Sequence, residues 1–229
     1  MPNSRLEAIL FDLDGLAVDS EPIHGESIRL ALEEDGRPFD PAVIGPYLGR
    51  PARDSSEAFA RLHGLDPDDF HARREAHYLS LVEQALPFRP RLAEAVALAR
   101  SEGLRLGLVT SGVRDYAEAA LRHLRAEGID FEVVIAREDV THAKPHPEPY
   151  LTAARLLGID PAACAVLEDA PSGVEAAHRA GMTVVAVPNE HTAEMAFPGA
   201  DTIAPDLEAA VRWLLDRRPI PREPRPGLA

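Results

Sequence analysis

The fold is decided near the start of the chain by residues 7–15, Glu-Ala-Ile-Leu-Phe-Asp-Leu-Asp-Gly. A short apolar run that stops at two carboxylates and a glycine is the pattern of a buried strand ending in a turn. Four later apolar runs resemble it, and they cover residues 104–109, 131–136, 162–167 and 183–187. Because these runs are apolar without alternation, they indicate strands that are covered on both faces, as in a parallel sheet.

Amphipathic helical patterns lie between these strands. Apolar residues recur at helical spacing in residues 92–100, 115–124, 149–157, 174–180 and 207–215. The alternation of strand and helix predicts an α/β protein with a doubly wound, Rossmann-like core built on a parallel sheet. Ligands bind to such a sheet at the carboxyl ends of its strands.

Residues 20–88 interrupt this alternation, because they read as amphipathic helices with no strand-like run between them. The sequence therefore predicts a catalytic core formed by residues 1–19 and 89–217, with an all-helical cap domain inserted at residues 20–88. The tail, residues 218–229, is rich in proline and arginine. It has little to pack against the core, and we predict that it is disordered.

The composition limits the classes of partner. The chain has 229 residues, of which 24 are Lys or Arg and 38 are Asp or Glu, so its formal net charge is −14. This balance argues against nucleic acid, whose binding needs Lys and Arg facing the phosphates. A single cysteine, Cys164, permits no intramolecular disulfide. The first apolar run is too short for a signal peptide or a membrane span. We expect a cytoplasmic protein that does not bind membranes.

Polar side chains stand just beyond the predicted strands. They are Asp12 and Asp14, Thr110 and Ser111, Lys144 in the loop after the third strand, and Glu168 and Asp169. Because the carboxyl ends of parallel strands share one edge of the sheet, these groups gather there. Carboxylates close together repel one another, and a divalent cation among them offsets the repulsion. Oxygen ligands of this kind suit Mg²⁺, which also binds a phosphate oxygen of the substrate.

Lys144 is the only lysine in the chain, since the other basic residues among the 24 are arginines. Its retention indicates a site that requires a compact, flexible ammonium rather than a planar guanidinium.

The sequence around these strand ends resembles the haloacid dehalogenase superfamily. Its first motif is similar to residues 11–21, Phe-Asp-Leu-Asp-Gly-Leu-Ala-Val-Asp-Ser-Glu, and its second to residues 106–110, Leu-Gly-Leu-Val-Thr. The third is similar to residues 144–150, Lys-Pro-His-Pro-Glu-Pro-Tyr, and the fourth to residues 166–169, Val-Leu-Glu-Asp. Within the superfamily, the chain is most similar to the branch of phosphatases and β-phosphoglucomutases that carry a helical cap.

This resemblance implies a phosphoric monoester hydrolase that acts on a small phosphorylated metabolite such as a sugar phosphate, with Mg²⁺ as cofactor. Asp12 would be the nucleophile that forms an aspartyl-phosphate, and Asp14 the general acid and base. Thr110, Ser111 and Lys144 would bind the phosphoryl oxygens, and Lys144 would also offset their charge. The metal ligands would be Asp12, the backbone carbonyl of Asp14, Glu168 and Asp169.

Three residues of the predicted cap are candidates for substrate binding. Arg53 belongs to residues 49–55, which resemble the cap loop that contacts substrate in this branch. Arg74 lies on the long cap helix, and His24 stands where mutase-like members carry a histidine. The alternatives are a solvated helix face for both arginines and a packed side chain for His24.

Two other functions stay open at this point. A phosphomutase similar to β-phosphoglucomutase would use the same residues and pass the phosphoryl group to a sugar hydroxyl instead of water. A catalytically silent binding protein is the remote alternative, although Asp12, Asp14, Lys144 and Asp169 are all present. We expect a monomer or a weak dimer.

Overall fold

The residues that the structure describes form one six-stranded sheet. The computed structural model describes residues 5–43 and 52–217. The strands are β1 (Ala8–Asp12), β2 (Arg105–Val109), β3 (Val133–Ile135), β4 (Cys164–Glu168), β5 (Thr183–Ala186) and β6 (Thr202–Ile203). Their spatial order is β3-β2-β1-β4-β5-β6, and every neighbouring pair is parallel.

This strand order makes the sheet doubly wound. The chain moves from β1 through β2 to β3 at one edge, then crosses to β4 on the other side of β1 and continues through β5 to β6. Ala8 pairs with Arg105 on one side and with Cys164 on the other, which sets the register at the centre. The direction switches between β1 and β4, where doubly wound sheets bind their ligands. The predicted α/β fold class with a Rossmann-like parallel sheet is confirmed.

Eight α-helices lie within the described ranges. They are α1 (Glu21–Glu34), α2 (Ala52–His63), α3 (Pro67–Gln84), α4 (Leu92–Ser101), α5 (Arg114–Ala126), α6 (Glu148–Leu157), α7 (Pro171–Arg179) and α8 (Leu207–Asp216). Helices α4, α5 and α8 share one apolar core with Ile9 and Phe11 of β1. Helices α6 and α7 share another with Ala8 and Leu10. Successive strand side chains point to opposite faces, so β1 is buried on both.

Helices α1, α2 and α3 all lie between β1 and β2 in the sequence. They have an apolar cluster of their own, which includes Ile28, Phe59 and Phe70. The chain enters and leaves this segment side by side, because Val18 forms an antiparallel bridge with Phe88. Helix α3 also packs against α5 of the core. The helices thus form an insertion into the α/β core, while the domain limits at residues 20 and 88 stay a prediction.

Two stretches of interest lie outside the described residues: the tail 218–229, and residues 44–51, which include part of the loop 49–55. Among the helices that the structure describes, none is long and apolar enough to cross a membrane.

Candidate active site

The turn after β1 places Asp12 and Asp14 at the carboxyl edge of the sheet. Asp12 is the last residue of β1 and is buried. Gly15 follows with a φ of +79°, a conformation that strains residues with a Cβ. A Cβ at Gly15 would also lie 2.3 Å from Asp169 Oδ2 and 2.7 Å from Asn189 Nδ2. Glycine is therefore required here twice, for its backbone conformation and for the close approach of these two side chains.

Lys144 lies at the centre of the site. Its Nζ donates to Asp12 Oδ1, to Glu168 Oε1 at 2.7 Å and to the carbonyl oxygen of Val109 at 3.1 Å. All three ammonium protons are thus used. Burial by itself lowers the pKa of an ammonium group, but the Asp12 and Glu168 carboxylates outweigh it and raise the pKa of Lys144 well above its usual range. Lys144 is therefore a fixed positive charge.

The protonation of Asp12 is governed by its burial. Removal from water disfavours the carboxylate, and it raises the pKa of Asp12 from 3.8 to about 8. Lys144 acts in the opposite direction, while the negative charges of Glu168 and Asp14 raise the pKa further. A metal cation bound beside Asp12, in addition to Lys144, would favour the ionised carboxylate. The ionised carboxylate is the form that can act as a nucleophile.

Three buried carboxylates fit a divalent metal ion. Asp12, Glu168 and Asp169 each offer an oxygen, and these oxygens lie within 4.8 Å of one another. Asp169 Oδ1 is buried and has no hydrogen-bond partner among the described residues. Burial, followed by repulsion from Asp12 and Glu168, raises the pKa of Asp169 well above its usual range. An unbonded buried carboxylate oxygen is costly, and a hard cation such as Mg²⁺ would satisfy it.

The carboxylate of Glu168 accepts more hydrogen bonds than those of Asp12 and Asp169. Its Oε1 accepts hydrogen bonds from Lys144 and, at 2.5 Å, from the hydroxyl of Tyr150. Its Oε2 accepts a longer one, 3.3 Å, from the backbone N–H of Ala170. Asp12 and Asp169 are therefore better suited to bind a metal directly, and the predicted ligand role of Glu168 stays a prediction.

Asp14 is held by three hydroxyl groups. Its Oδ1 accepts hydrogen bonds from Ser20 Oγ at 3.0 Å and from the hydroxyl of Tyr116 at 2.5 Å. Its Oδ2 accepts one from Thr110 Oγ1 at 3.0 Å. Thr110 Oγ1 in turn accepts from the backbone N–H of Gly112 at 2.9 Å. The one proton of the Thr110 hydroxyl is thus directed at Asp14, and this hydroxyl would have to rotate to donate to a phosphate.

The other predicted site residues differ from one another in exposure and in their contacts. Ser111 is exposed directly after Thr110. Arg74 is only 1% exposed, and its guanidinium donates to His24 Nδ1 at 2.7 Å and contacts Ser56 Oγ at 3.3 Å. Arg74 is therefore a buried residue and does not lie on a solvated helix face. The structure brings Arg74 and His24 together, whereas Arg53 is exposed.

Arg53 and His24 differ in their electrostatic setting. Arg53 forms ion pairs with Asp68 and, at 3.5 Å, with Glu57. His24 is removed from water, and this burial together with the charge of Arg74 lowers its pKa from 6.5 to about 3. Near neutral pH, His24 is therefore an uncharged imidazole. The substrate-binding roles predicted for Arg53, Arg74 and His24 stay predictions.

The sequence profile of the haloacid dehalogenase-like hydrolases matches residues 9–187. The chain belongs to this family. The match includes the predicted residues of the site from Asp12, at the end of β1, to Asp169, after β4. The predicted family is thereby confirmed.

Several relatives of this hydrolase bear the names of phosphatases. Validoxylamine A 7'-phosphate phosphatase from Streptomyces hygroscopicus subsp. limoneus is 37% identical over 89% of this chain and 95% of its own. Hexitol phosphatase B from Escherichia coli (strain K12) is 32% identical over 80% of this chain and 84% of its own. These relatives and the family match confirm the predicted enzyme class, a phosphoric monoester hydrolase of the haloacid dehalogenase type.

A solved structure of the family has the same fold. The crystal structure of CbbY from Rhodobacter sphaeroides, in complex with phosphate, superposes with a TM-score of 0.74. It is 28% identical in sequence, and the similarity covers 89% of this chain and 95% of that one.

Several residues of this hydrolase's site were not predicted from the sequence, among them Asn189, Tyr116 and Tyr150. Asn189 donates to Asp169 Oδ2 at 2.8 Å and to the carbonyl oxygen of Gly15 at 3.2 Å. Asn189 comes shortly after the end of β5. A search for polar residues just beyond the end of each strand would therefore have identified it. Tyr116 and Tyr150 bind Asp14 and Glu168 from helices α5 and α6. Their apolar helical spacing is that of ordinary core residues, and it contains no signal of a polar contact.

Proposed function

We propose that this hydrolase is a Mg²⁺-dependent phosphatase that hydrolyses a phosphate monoester of a small metabolite, such as a sugar phosphate, through an aspartyl-phosphate on Asp12. The observation that carries the proposal is the contact of Asp12 with the buried Lys144, beside the unbonded oxygen of Asp169. The names of the relatives, a validoxylamine phosphate phosphatase and a hexitol phosphatase, support a small polyhydroxylated substrate.

In the first half of the reaction, a carboxylate oxygen of Asp12 attacks phosphorus. A bond forms between this oxygen and phosphorus, and the bond between phosphorus and the ester oxygen breaks. Lys144 is a fixed positive charge next to Asp12, so it would stabilise the negative charge that develops on the phosphoryl oxygens. Asp12, Asp169 and the backbone carbonyl of Asp14 would hold Mg²⁺. When bound, Mg²⁺ would reduce the repulsion between the anionic phosphate and the anionic nucleophile.

Asp14 would move the protons in both halves of the reaction. In the first half it donates a proton to the leaving ester oxygen, so that an alcohol departs instead of an alkoxide. In the second half a water molecule attacks phosphorus, Asp14 removes a proton from that water, and the bond from phosphorus to Asp12 breaks. Free phosphate and the original carboxylate of Asp12 result, and the proton balance of the cycle is restored.

The inserted helices would form the cap over this edge of the sheet. The proposed cap comprises residues 20–88, and it would exclude water during the attack and select the leaving group. Thr110 and Ser111 would bind phosphoryl oxygens from the core side. Arg53, Arg74 and His24 are the cap residues that we propose for contacts with substrate or for support of such contacts.

Phosphate release from a panel of sugar phosphates, with Mg²⁺ and with a chelator, tests this function. The panel includes β-glucose 1-phosphate together with a bisphosphate primer. The proposal requires phosphate release that depends on Mg²⁺ and is lost in Asp12→Asn. Conversion of β-glucose 1-phosphate to glucose 6-phosphate with little free phosphate would identify a phosphomutase instead. Activity that persists in the chelator would contradict the proposed cofactor.

A further inference from the structure

Three hydroxyl-bearing side chains, Tyr116, Ser20 and Tyr78, lie together beside Oδ1 of Asp14. Tyr116 on α5 and Ser20 before α1 both donate to Asp14 Oδ1, at 2.5 and 3.0 Å. The hydroxyl of Tyr78, which comes from α3, faces the side chains of both Tyr116 and Ser20. The rings of Tyr78 and Tyr116 lie 5.3 Å apart. Residues of the insertion and of the core thus meet at a single carboxylate oxygen.

A count of protons limits the hydrogen bonds that these hydroxyl groups can make. Tyr116 and Ser20 each carry one hydroxyl proton, and each gives it to Asp14. Neither can therefore also donate to Tyr78, and the single hydroxyl proton of Tyr78 can be donated to only one of them at a time. Burial, together with the negative charge of Asp14, raises the pKa of both tyrosines well above the usual range. Both phenols stay protonated, so Tyr78 can support either Tyr116 or Ser20 with its one proton while those two hydroxyls donate to Asp14.

The inserted helices hold Tyr78 from its other side. The imidazole of His24, on α1, stacks on the ring of Tyr78 at 4.3 Å with an interplanar angle of 16°. Arg74, one turn before Tyr78 on α3, donates to His24 Nδ1 at 2.7 Å. Tyr78 is 5% exposed and Tyr116 is 3% exposed. A continuous series of contacts therefore connects Arg74 and His24 with Asp14.

We propose that Tyr116 and Tyr78 are positioning residues for Asp14, and that the inserted helices act through them to hold its carboxyl group where, once protonated, it can donate to the leaving oxygen. This inference rests on the proposed role of Asp14 as the general acid. Proton transfer requires the acid within hydrogen-bonding distance of the leaving oxygen, and a displacement of an ångström weakens it strongly. Of the two hydroxyls on Asp14 Oδ1, Tyr116 makes the shorter bond, so its removal should displace Asp14 most.

The dependence of the rate on the leaving group separates a positioning role from a merely structural one. An alkyl phosphate, such as sorbitol 6-phosphate, needs its leaving oxygen protonated. In contrast, p-nitrophenyl phosphate releases a stabilised phenolate that does not. The value of kcat/KM reports the steps up to formation of the aspartyl-phosphate. For Tyr116→Phe we expect kcat/KM on sorbitol 6-phosphate to fall about tenfold, and on p-nitrophenyl phosphate less than about twofold.

Tyr78→Phe provides the second variant. It keeps the ring that stacks on His24 and leaves the bond from Tyr116 to Asp14 in place, so we expect the same selective loss with a smaller size, about threefold. The double variant should lose about as much as Tyr116→Phe alone, because both side chains act through Asp14. Since Phe preserves each ring, the variants should fold, and thermal melts check this. If Tyr116→Phe is unstable, the selective loss of kcat/KM is tested with Tyr78→Phe alone.

Two controls make the outcomes distinguishable. Tyr150→Phe also removes a hydroxyl from a buried tyrosine, but one that donates to Glu168, so it should affect both substrates alike. Asp14→Asn should lose activity on sorbitol 6-phosphate far more than on p-nitrophenyl phosphate. If Asp14→Asn lowers both equally, the proposed role of Asp14 fails. If Asp14→Asn is selective while Tyr116→Phe and Tyr78→Phe are not, the positioning inference is overturned.

Discussion

Lys144 Nζ lies 2.7 Å from Glu168 Oε1, so the only lysine of the chain is held by a carboxylate from β4 as well as by the proposed nucleophile. The hydroxyl of Tyr150 donates to the same oxygen of Glu168 at 2.5 Å. Glu168 thereby fixes the direction from which the ammonium approaches Asp12. This arrangement gives Glu168 a clear function that does not depend on metal binding, namely the placement of a compact positive charge.

Replacement of Lys144 by arginine should therefore damage activity although it keeps the charge. The buried site directs three ammonium protons at Asp12, Glu168 and the carbonyl oxygen of Val109, and a planar guanidinium cannot reproduce this geometry. For Lys144→Arg we expect kcat/KM to fall by about 10²- to 10³-fold. The exposed Arg212, exchanged for lysine, is the matched control and should leave kcat/KM unchanged. Equal activity of both variants would contradict the proposed role of Lys144.

Asp12→Asn should abolish turnover while the protein stays folded. The amide is nearly isosteric with the carboxylate, but it cannot attack phosphorus to form the acyl-phosphate. Circular dichroism and a thermal melt establish folding, and phosphate release measures turnover. A variant that keeps more than about a tenth of the wild-type kcat would exclude Asp12 as the nucleophile.

The strand ends were predictable from the sequence, whereas the contacts from the helices were not. Asp12 and Asp169 each follow an apolar run, and a parallel sheet brings such positions to one edge. Tyr116 reaches Asp14 from a position 102 residues further along the chain. Its helical spacing is the same as that of a buried leucine, because the spacing records burial and not the partner of a hydroxyl.

The short strand β6 and the contact between Arg74 and His24 were missed for related reasons. A strand of two residues, Thr202–Ile203, is too short to show any periodicity. Arg74 and His24 are 50 residues apart, and an arginine on a helix is normally exposed. The packing of α1 and α2 against α3 removes this one from water. The predicted cytoplasmic location and the predicted monomer or weak dimer stay predictions.

Magnesium should stabilise the folded protein more strongly as the pH rises from 6 to 8. Burial raises the pKa of Asp12 to about 8, so below that pH a metal ion must displace a proton to bind its carboxylate. The apparent affinity for Mg²⁺ should therefore rise by up to about tenfold per pH unit and level off above the pKa. Thermal melts with and without Mg²⁺ at pH 6, 7 and 8 measure this change.

Asp169→Asn is the variant that tests the metal site directly. It removes the charge of the residue whose Oδ1 has no hydrogen-bond partner among the described residues. The stabilisation by Mg²⁺ should become much smaller, and the Mg²⁺ concentration needed for half-maximal activity should increase at least about tenfold. An unchanged metal requirement would show that Asp169 is not a ligand.

Gly173→Ala should inactivate the enzyme by displacing Glu168. A Cβ at Gly173, in the first turn of α7, would lie 1.7 Å from Glu168 Oε1. The carboxylate would have to leave Lys144 and Tyr150, and the unfolding free energy should fall by several kcal/mol, roughly the cost of breaking a buried charged contact. Gly128→Ala is the control, since its Cβ meets nothing within 4 Å. That variant should lose only about 1 kcal/mol and keep full activity.

His24 should be a neutral imidazole with its proton on Nε2 across the physiological pH range. The guanidinium of Arg74 can only donate, so His24 Nδ1 at 2.7 Å must accept and cannot carry a proton. Burial and the charge of Arg74 lower the pKa of His24 from 6.5 to about 3. In nitrogen NMR spectra, one histidine should therefore show a bare Nδ1 and no titration between pH 5 and 8.

The same shift predicts how His24 contributes to stability. Between pH 6.5 and about 3 the unfolded chain binds a proton at His24 that the folded protein does not, so stability present above pH 6.5 is lost as the pH falls. His24→Gln cannot take up this proton, and its unfolding free energy should decline less steeply than that of the wild type between pH 6.5 and 4. Urea denaturation at several pH values measures both slopes. Equal slopes, or a titrating ring in place of a bare Nδ1, would mean that His24 is charged and that Arg74 does not determine its state.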